Sequence, residues 1–183
     1  GDTILNAGFG VTVNNGSNNI ILSNVIGKTD LVSKARNYVV NIAGVSITAS
    51  NNNAVSSNAI SVTKNAIVVT NAKGNLINSN TSKKAQTSIL LTNAPNGQIN
   101  NNTVDSAQVG LQIDGSHGVV IYNNIITRSL TYGIVLDVGS DTCRLTANLI
   151  GARYYGDPTY AEGAGILIKS SNNYIGPDTA LGL

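Results

Sequence analysis

The chain has 183 residues, of which 42% are hydrophobic and only 11% charged, with a formal net charge of +2. A charged fraction so far below the roughly 25% usual for soluble domains excludes a helical bundle, whose exposed faces need Glu, Lys and Ala. No Lys/Arg run interleaved with aromatics suggests a nucleic-acid partner, and no apolar run approaches the ~20 residues of a membrane span.

Taken in chain order, the sequence reads as one coil repeated. Val11 and Val13 form the first apolar-x-apolar triplet, followed by Ile21, then Asn24, then Ile26. An insertion covers residues 28–40. The pattern then resumes with Val45/Ile47, Val55, Asn58 and Ile60. From there the offset settles at 22 residues: Ile67/Val69, Ile77, Asn80 and Ser82 are succeeded by Ile89/Leu91, Ile99, Asn102 and Val104. Leu111/Ile113, Ile121, Asn124 and Ile126 follow, then Ile134/Leu136, Leu145, Asn148 and Ile150. A second insertion, 152–162, falls in the same inter-strand turn as the first, and Ile166/Ile168 and Ile175 close the series.

Alternation within each triplet is the period-2 signature of a strand. Three short strands per 22 residues make one coil of a solenoid, and stacked coils share a core that no single coil could bury. An inward asparagine at a turn costs free energy if unpaired. Stacked about 4.8 Å from an identical residue, its amide can donate to one neighbour and accept from the other. The expected fold is therefore all-β, a single-stranded right-handed parallel β-helix of about seven coils spanning residues 1–183. Asp2 and Asp178 fall at asparagine positions of flanking coils. The helix is therefore expected to be a segment of a longer solenoid, or to have its ends covered by other chains, as a homo-oligomer or end-stacked assembly. Cys143 is the only cysteine, so no internal disulfide forms, and its register places it inward beside Val119.

A 22-residue coil with an asparagine column resembles the pectate-lyase-like superfamily of right-handed β-helices, which includes pectate lyases, polygalacturonases, mannuronan epimerases and phage tailspikes. The resemblance covers almost the whole chain and is one of architecture. It implies that the asparagine column marks the turn between second and third strands, and that the triplets form the first strand. It also implies that the outer face of the first strand, walled by the two insertions, holds a polysaccharide groove. The motif match is partial. Polygalacturonases carry Gly-His-Gly and, later, Arg-Ile-Lys. Here His117-Gly118 and Ile168-Lys169 match, but Leu167 replaces the arginine and the preceding coil reads Thr92-Asn93 in place of paired aspartates.

The outward position after each triplet runs Asn14, Thr48, Thr70, Thr92, Asp114, Asp137, Lys169. Asp114 and Asp137 thus occupy adjacent rungs, about 4.8 Å apart along the backbone. Two carboxylates so close cannot both ionise freely, and the spacing suits an acid/base pair for glycoside chemistry. Asp114-Gly115 and Asp137-Val138-Gly139 are equally readable as turn signals. Lys169 on the next rung can hold one carboxylate ionised or bind an acidic sugar. Arg128, Tyr132, Tyr154, Tyr155, Tyr160 and Glu162 cluster near the second insertion and form a candidate substrate-binding set, since aromatic faces with polar tips suit sugar rings. No metal-ligand spacing is present, and no cofactor is expected.

The expected function is an extracellular, cell-surface or virion-associated β-helix of tailspike type that binds a polysaccharide and, if the carboxylate pair is catalytic, cleaves it. The alternative is a non-enzymatic solenoid: a stalk, adhesin or filament subunit.

Overall fold

The computed structural model describes residues 1–5, 7–27, 42–62, 64–151 and 164–177. Its regular elements are all strands, arranged in three sheets of seven. The first-strand sheet contains Phe9–Asn14, Ala43–Thr48, Asn65–Thr70, Thr87–Thr92, Val109–Asp114, Tyr132–Leu136 and Ala164–Ile168. The second-strand sheet runs from Ile20–Leu22 to Tyr174–Gly176, and the third-strand sheet from Thr3–Ile4 to Leu149–Ile150. Every strand pairs in parallel with the strand one coil away, which is the architecture of a parallel β-helix.

The register is the one the triplets dictate. Ile67 aligns with Ile89, Leu111 and Ile134 in the first-strand sheet, and Ile77 with Ile99 and Ile121 in the second. Val45, Ile67, Ile89, Leu111 and Ile134 are each at most 1% exposed. Full burial of such a side chain contributes about 1.5–3 kcal/mol, so one coil holding four inward aliphatics has a strong register preference. A slip of one residue would turn the set to solvent.

The asparagine column is a continuous hydrogen-bonded ladder. The side-chain amide of Asn24 donates to Asn58 Oδ1 at 3.1 Å, and the relay continues through Asn80, Asn102 and Asn124 to Asn148 at 2.9–3.1 Å. From Asn58 onward each amide also donates to the carbonyl of the inward second-strand residue one coil below, as Asn102 does to Ile77 O at 3.0 Å. Asp2 does occupy the next place in this column, since its backbone N–H donates to Asn24 Oδ1 at 2.9 Å. The residue before each ladder asparagine sits at positive φ: Ser23, Ser57, Ser79, Asn101, Asn123 and Ala147 all lie between 53° and 58°. One left-handed residue turns the chain sharply enough for the next strand to begin at once.

A second column emerges only in three dimensions. Gly10, Gly44, Gly110 and Gly133 face Ile26, Ile60, Ile126 and Ile150, and a Cβ at any of them would stand 2.4–2.6 Å from the isoleucine Cγ2. In the coils whose third strand carries Ser82 and Val104, the glycine position is filled by Ala66 and Ser88. Ser82 Oγ donates to Ser88 Oγ at 3.0 Å, both buried, so the polar pair satisfies itself inside the core. Volume is thus exchanged between sheets across one corner, as close packing requires.

Both insertions fall in the connection from a third strand to a first strand, between Val25–Ile26 and Ala43–Thr48 and between Leu149–Ile150 and Ala164–Ile168. Their points of attachment therefore lie on one edge of the solenoid.

Candidate functional site

The outer face of the first-strand sheet carries the row named from the sequence. Asn14, Thr48, Thr70, Thr92 and Asp114 are in register across consecutive strands. Asp137 and Lys169 extend the row: Asp137 N–H donates to Ile113 O and Lys169 N–H to Leu136 O, both at 2.8 Å. The expected adjacency of Asp114, Asp137 and Lys169 is therefore present.

The two carboxylates have different surroundings. Asp137 Oδ1 accepts the Val138 N–H at 3.0 Å and lies 3.5 Å from Lys169 Nζ. Its carbonyl accepts the Ser140 N–H at 3.1 Å in a tight turn through Gly139, at φ 78°. Asp137 is thus both a turn residue and an ion-pair partner. With Asp137 and Lys169 side chains 24% and 49% exposed, the pair is worth at most about 1 kcal/mol to stability. No hydrogen bond or ion pair among the described residues engages the Asp114 carboxylate, which is half-buried. One carboxylate is held by a cation and the other is open to a ligand.

Beside this row lies a column that sequence reasoning passed over. The middle residues of the triplets also face outward, and four of them are apolar: Val68, Leu90, Val135 and Leu167. Val135 is only 4% exposed. The signal was available, because an unbroken run such as Ile134-Val135-Leu136 marks a strand with both faces covered. The middle row is therefore mixed, with Val68 and Leu90 followed by Gln112 and then Val135 and Leu167, and it lies beside the polar row.

Arg128 and Tyr132 are elsewhere. Tyr132 begins its strand, in register with Val109 and Ala164, at the opposite end from Asp137. That separation is roughly 16 Å at the usual rise per residue. Arg128 is engaged by Asp105 on the neighbouring coil: its Nε donates to Oδ1 at 2.5 Å and a terminal nitrogen donates to Oδ2. Burial alone would push the Asp105 carboxyl up. The Arg128 hydrogen bond and charge, with smaller help from Ser106 and Lys83, outweigh it and hold the carboxyl below its ordinary value. Tyr154, Tyr155, Tyr160 and Glu162 lie outside the described residues.

Cys143 is inward and 1% exposed, in register with Val119, with Sγ 3.3 Å from Ser140 O. Burial pushes its thiol up, so it is a packed, protonated group. His117 is exposed on the turn after the Val109–Asp114 strand.

These features define a parallel β-helix with an asparagine ladder and a polar-edged outer sheet. Residues 23–176 match the family model described as "Periplasmic copper-binding protein (NosD)", and the chain belongs to that family. No curated protein sequence matches it. Among solved structures, the periplasmic alginate epimerase AlgG is similar at 12% identity with a TM-score of 0.44, covering 87% of this chain and 47% of that one. A double mutant of AlgG is similar at 10% identity with a TM-score of 0.49, covering 90% and 47%. The chain thus spans about half the length of these structures.

The family description raises copper. Copper sites draw on imidazole, thiolate and thioether ligands. This chain has one histidine, one cysteine and no methionine. The histidine is exposed and the cysteine points into the core. Among the described residues no three of His, Cys, Asp and Glu converge. The residues present do not fit a copper centre.

Proposed function

We propose that this chain is an extracytoplasmic glycan-binding β-helix whose contact surface is the outer face of the first-strand sheet. The observation that carries the reading is the row Asp114, Asp137, Lys169 on successive rungs, with Lys169 paired to Asp137 and the Asp114 carboxylate unengaged. A linear sugar chain laid across it would rest its C–H faces on Val68, Leu90 and Leu167 and its hydroxyls on the acidic row. Membership of a family described as periplasmic favours the periplasm over a virion or tailspike setting.

A second reading, cleavage, rests on the asymmetry of the two carboxylates. Acid/base assignments follow when neighbouring groups experience different environments. Here Asp137 is paired with Lys169 and Asp114 is not, so the two carboxylates are placed to take different roles.

The test is a panel of soluble polysaccharides, neutral β-glucan and polygalacturonate among them, assayed for binding and for oligosaccharide release. Binding that weakens at least fivefold in Asp137→Asn and Lys169→Ala supports the proposal. Release of oligosaccharides that stops in both Asp114→Asn and Asp137→Asn supports cleavage. Absence of binding across the panel, or binding indifferent to all three substitutions, overturns both readings.

A further inference from the structure

The basic residues are segregated. Of the seven described Lys and Arg, four (Lys64, Lys83, Lys84 and Arg128) lie in the connection from a third strand to a first strand or at the last residue of the third strand before it. In a chain this poor in charge, that edge holds most of the described positive side chains.

Within the described residues the edge has a definite layout. Lys83 ends its third strand in register with Ser61 and Asp105. Lys84 follows at φ 62°, its N–H donating to Asp105 O at 3.1 Å. Lys64 stands in the same turn one coil earlier, immediately before the Asn65–Thr70 strand, and its carbonyl accepts the Thr87 N–H at 3.0 Å. All three lysines are exposed. The acid within the described part of this edge, Asp105, is held by Arg128 through two hydrogen bonds. Arg128 therefore removes the negative charge that would otherwise interrupt the row. No salt bridge among the described residues ties Lys64, Lys83 or Lys84 to an acid.

We propose that this edge is a binding strip for an anionic polysaccharide, one bearing carboxylate or sulfate groups along its length. The proposal deepens the glycan-binding reading and rests on it. Lys64 and the Lys83–Lys84 pair occupy two successive turns, at the coil spacing of about 4.8 Å, comparable with the advance of one pyranose in an extended chain. A polymer running along the helix axis would present neighbouring anions to these two turns. Asn65, Thr87 and Val109, at the starts of the neighbouring first strands, line the strip on one side.

A nucleic-acid duplex fits less well. It is wide enough to overlap the first-strand face, where Asp114 and Asp137 would repel its phosphates, whereas a single-file glycan stays on the edge.

The test compares wild type with the Lys83→Ala/Lys84→Ala double variant. Its probes are polygalacturonate, dextran sulfate, neutral β-glucan and duplex DNA, across a salt series, with circular dichroism and thermal melting as controls. Both lysines are exposed, so the fold should be kept. The expected result is tighter binding of the two anionic glycans than of β-glucan at low salt, reduced at least fivefold in the double variant, with a shallower salt dependence. The polygalacturonate and dextran sulfate arms separate carboxylate from sulfate preference. Equal binding of neutral and anionic glycans, an unaffected double variant, or DNA bound as tightly as either glycan would overturn the proposal. Asp137→Asn separates the two sites. If anionic glycan binding falls only in the lysine variant, the strip stands and the first-strand face fails; if only in Asp137→Asn, the reverse holds.

Discussion

Asn102 shows how much a single residue carries in this fold. Its Oδ1 accepts both the backbone N–H and the side-chain amide of Asn80, at 2.9 and 3.1 Å. Its own amide nitrogen donates to Ile77 O, Asn100 O and Asn124 Oδ1. Removing it strands donors below and acceptors above in a site 1% exposed, and each buried group left unsatisfied costs about 1–3 kcal/mol. Asn102→Ala is expected to lower stability by about 2–5 kcal/mol, read from the shift in urea midpoint. A variant within experimental error of wild type would mean that the ladder is dispensable. The ladder was legible in the sequence because an inward polar group must recur in register to be satisfied at all. The Asp105–Arg128 pair was not, because its members are 23 residues apart and no column of like residues announces it.

Strands here are too short to be stable singly, and their sheets fit one another by volume at the corner where third strand meets first. Gly110 is the clearest case. A Cβ there would stand 2.4 Å from Gly133 O and 2.6 Å from Ile126 Cγ2. Gly110→Ala is expected to destabilise by about 1–3 kcal/mol, the usual range for overpacking. In an Ile126→Ala background, which removes Cγ2, Gly110→Ala should cost less than it does in the wild type, although the carbonyl contact stays. Strict additivity of the two substitutions in a double-mutant cycle would contradict this coupling. Triplets and second-strand positions were read correctly from period 2 and the 22-residue offset. The Gly/Ile exchange was missed because it links positions on different sheets, which periodicity along the chain does not join.

At the scale of the molecule, both proposed binding surfaces lie on the outside of the β-helix. The first-strand face carries the Asp114–Asp137–Lys169 row, while the third-to-first edge carries Lys64, Lys83 and Lys84. Neither uses the core, where the chain's thiol sits. Copper is therefore not expected to have a stoichiometric site in this chain. Cu(II) titration followed by calorimetry and electron paramagnetic resonance should show at most weak binding that disappears in His117→Ala. A one-to-one site that survives that substitution and a competing chelator would refute the expectation.

The sequence by itself determined the coil. A 22-residue recurrence of inward aliphatics and one asparagine admits a single register, because any slip exposes the core and breaks the ladder. It also determined that Asp114, Asp137 and Lys169 are neighbours, since stacking turns an offset of one coil into adjacency. Only the tertiary structure decided what those neighbours do. The pairing of Asp137 with Lys169, the open Asp114 carboxylate, the commitment of Arg128 to Asp105 and the distance of Tyr132 from the acidic row all depend on where side chains point. Rotamers are set by contacts between coils, and those contacts are not written in the repeat.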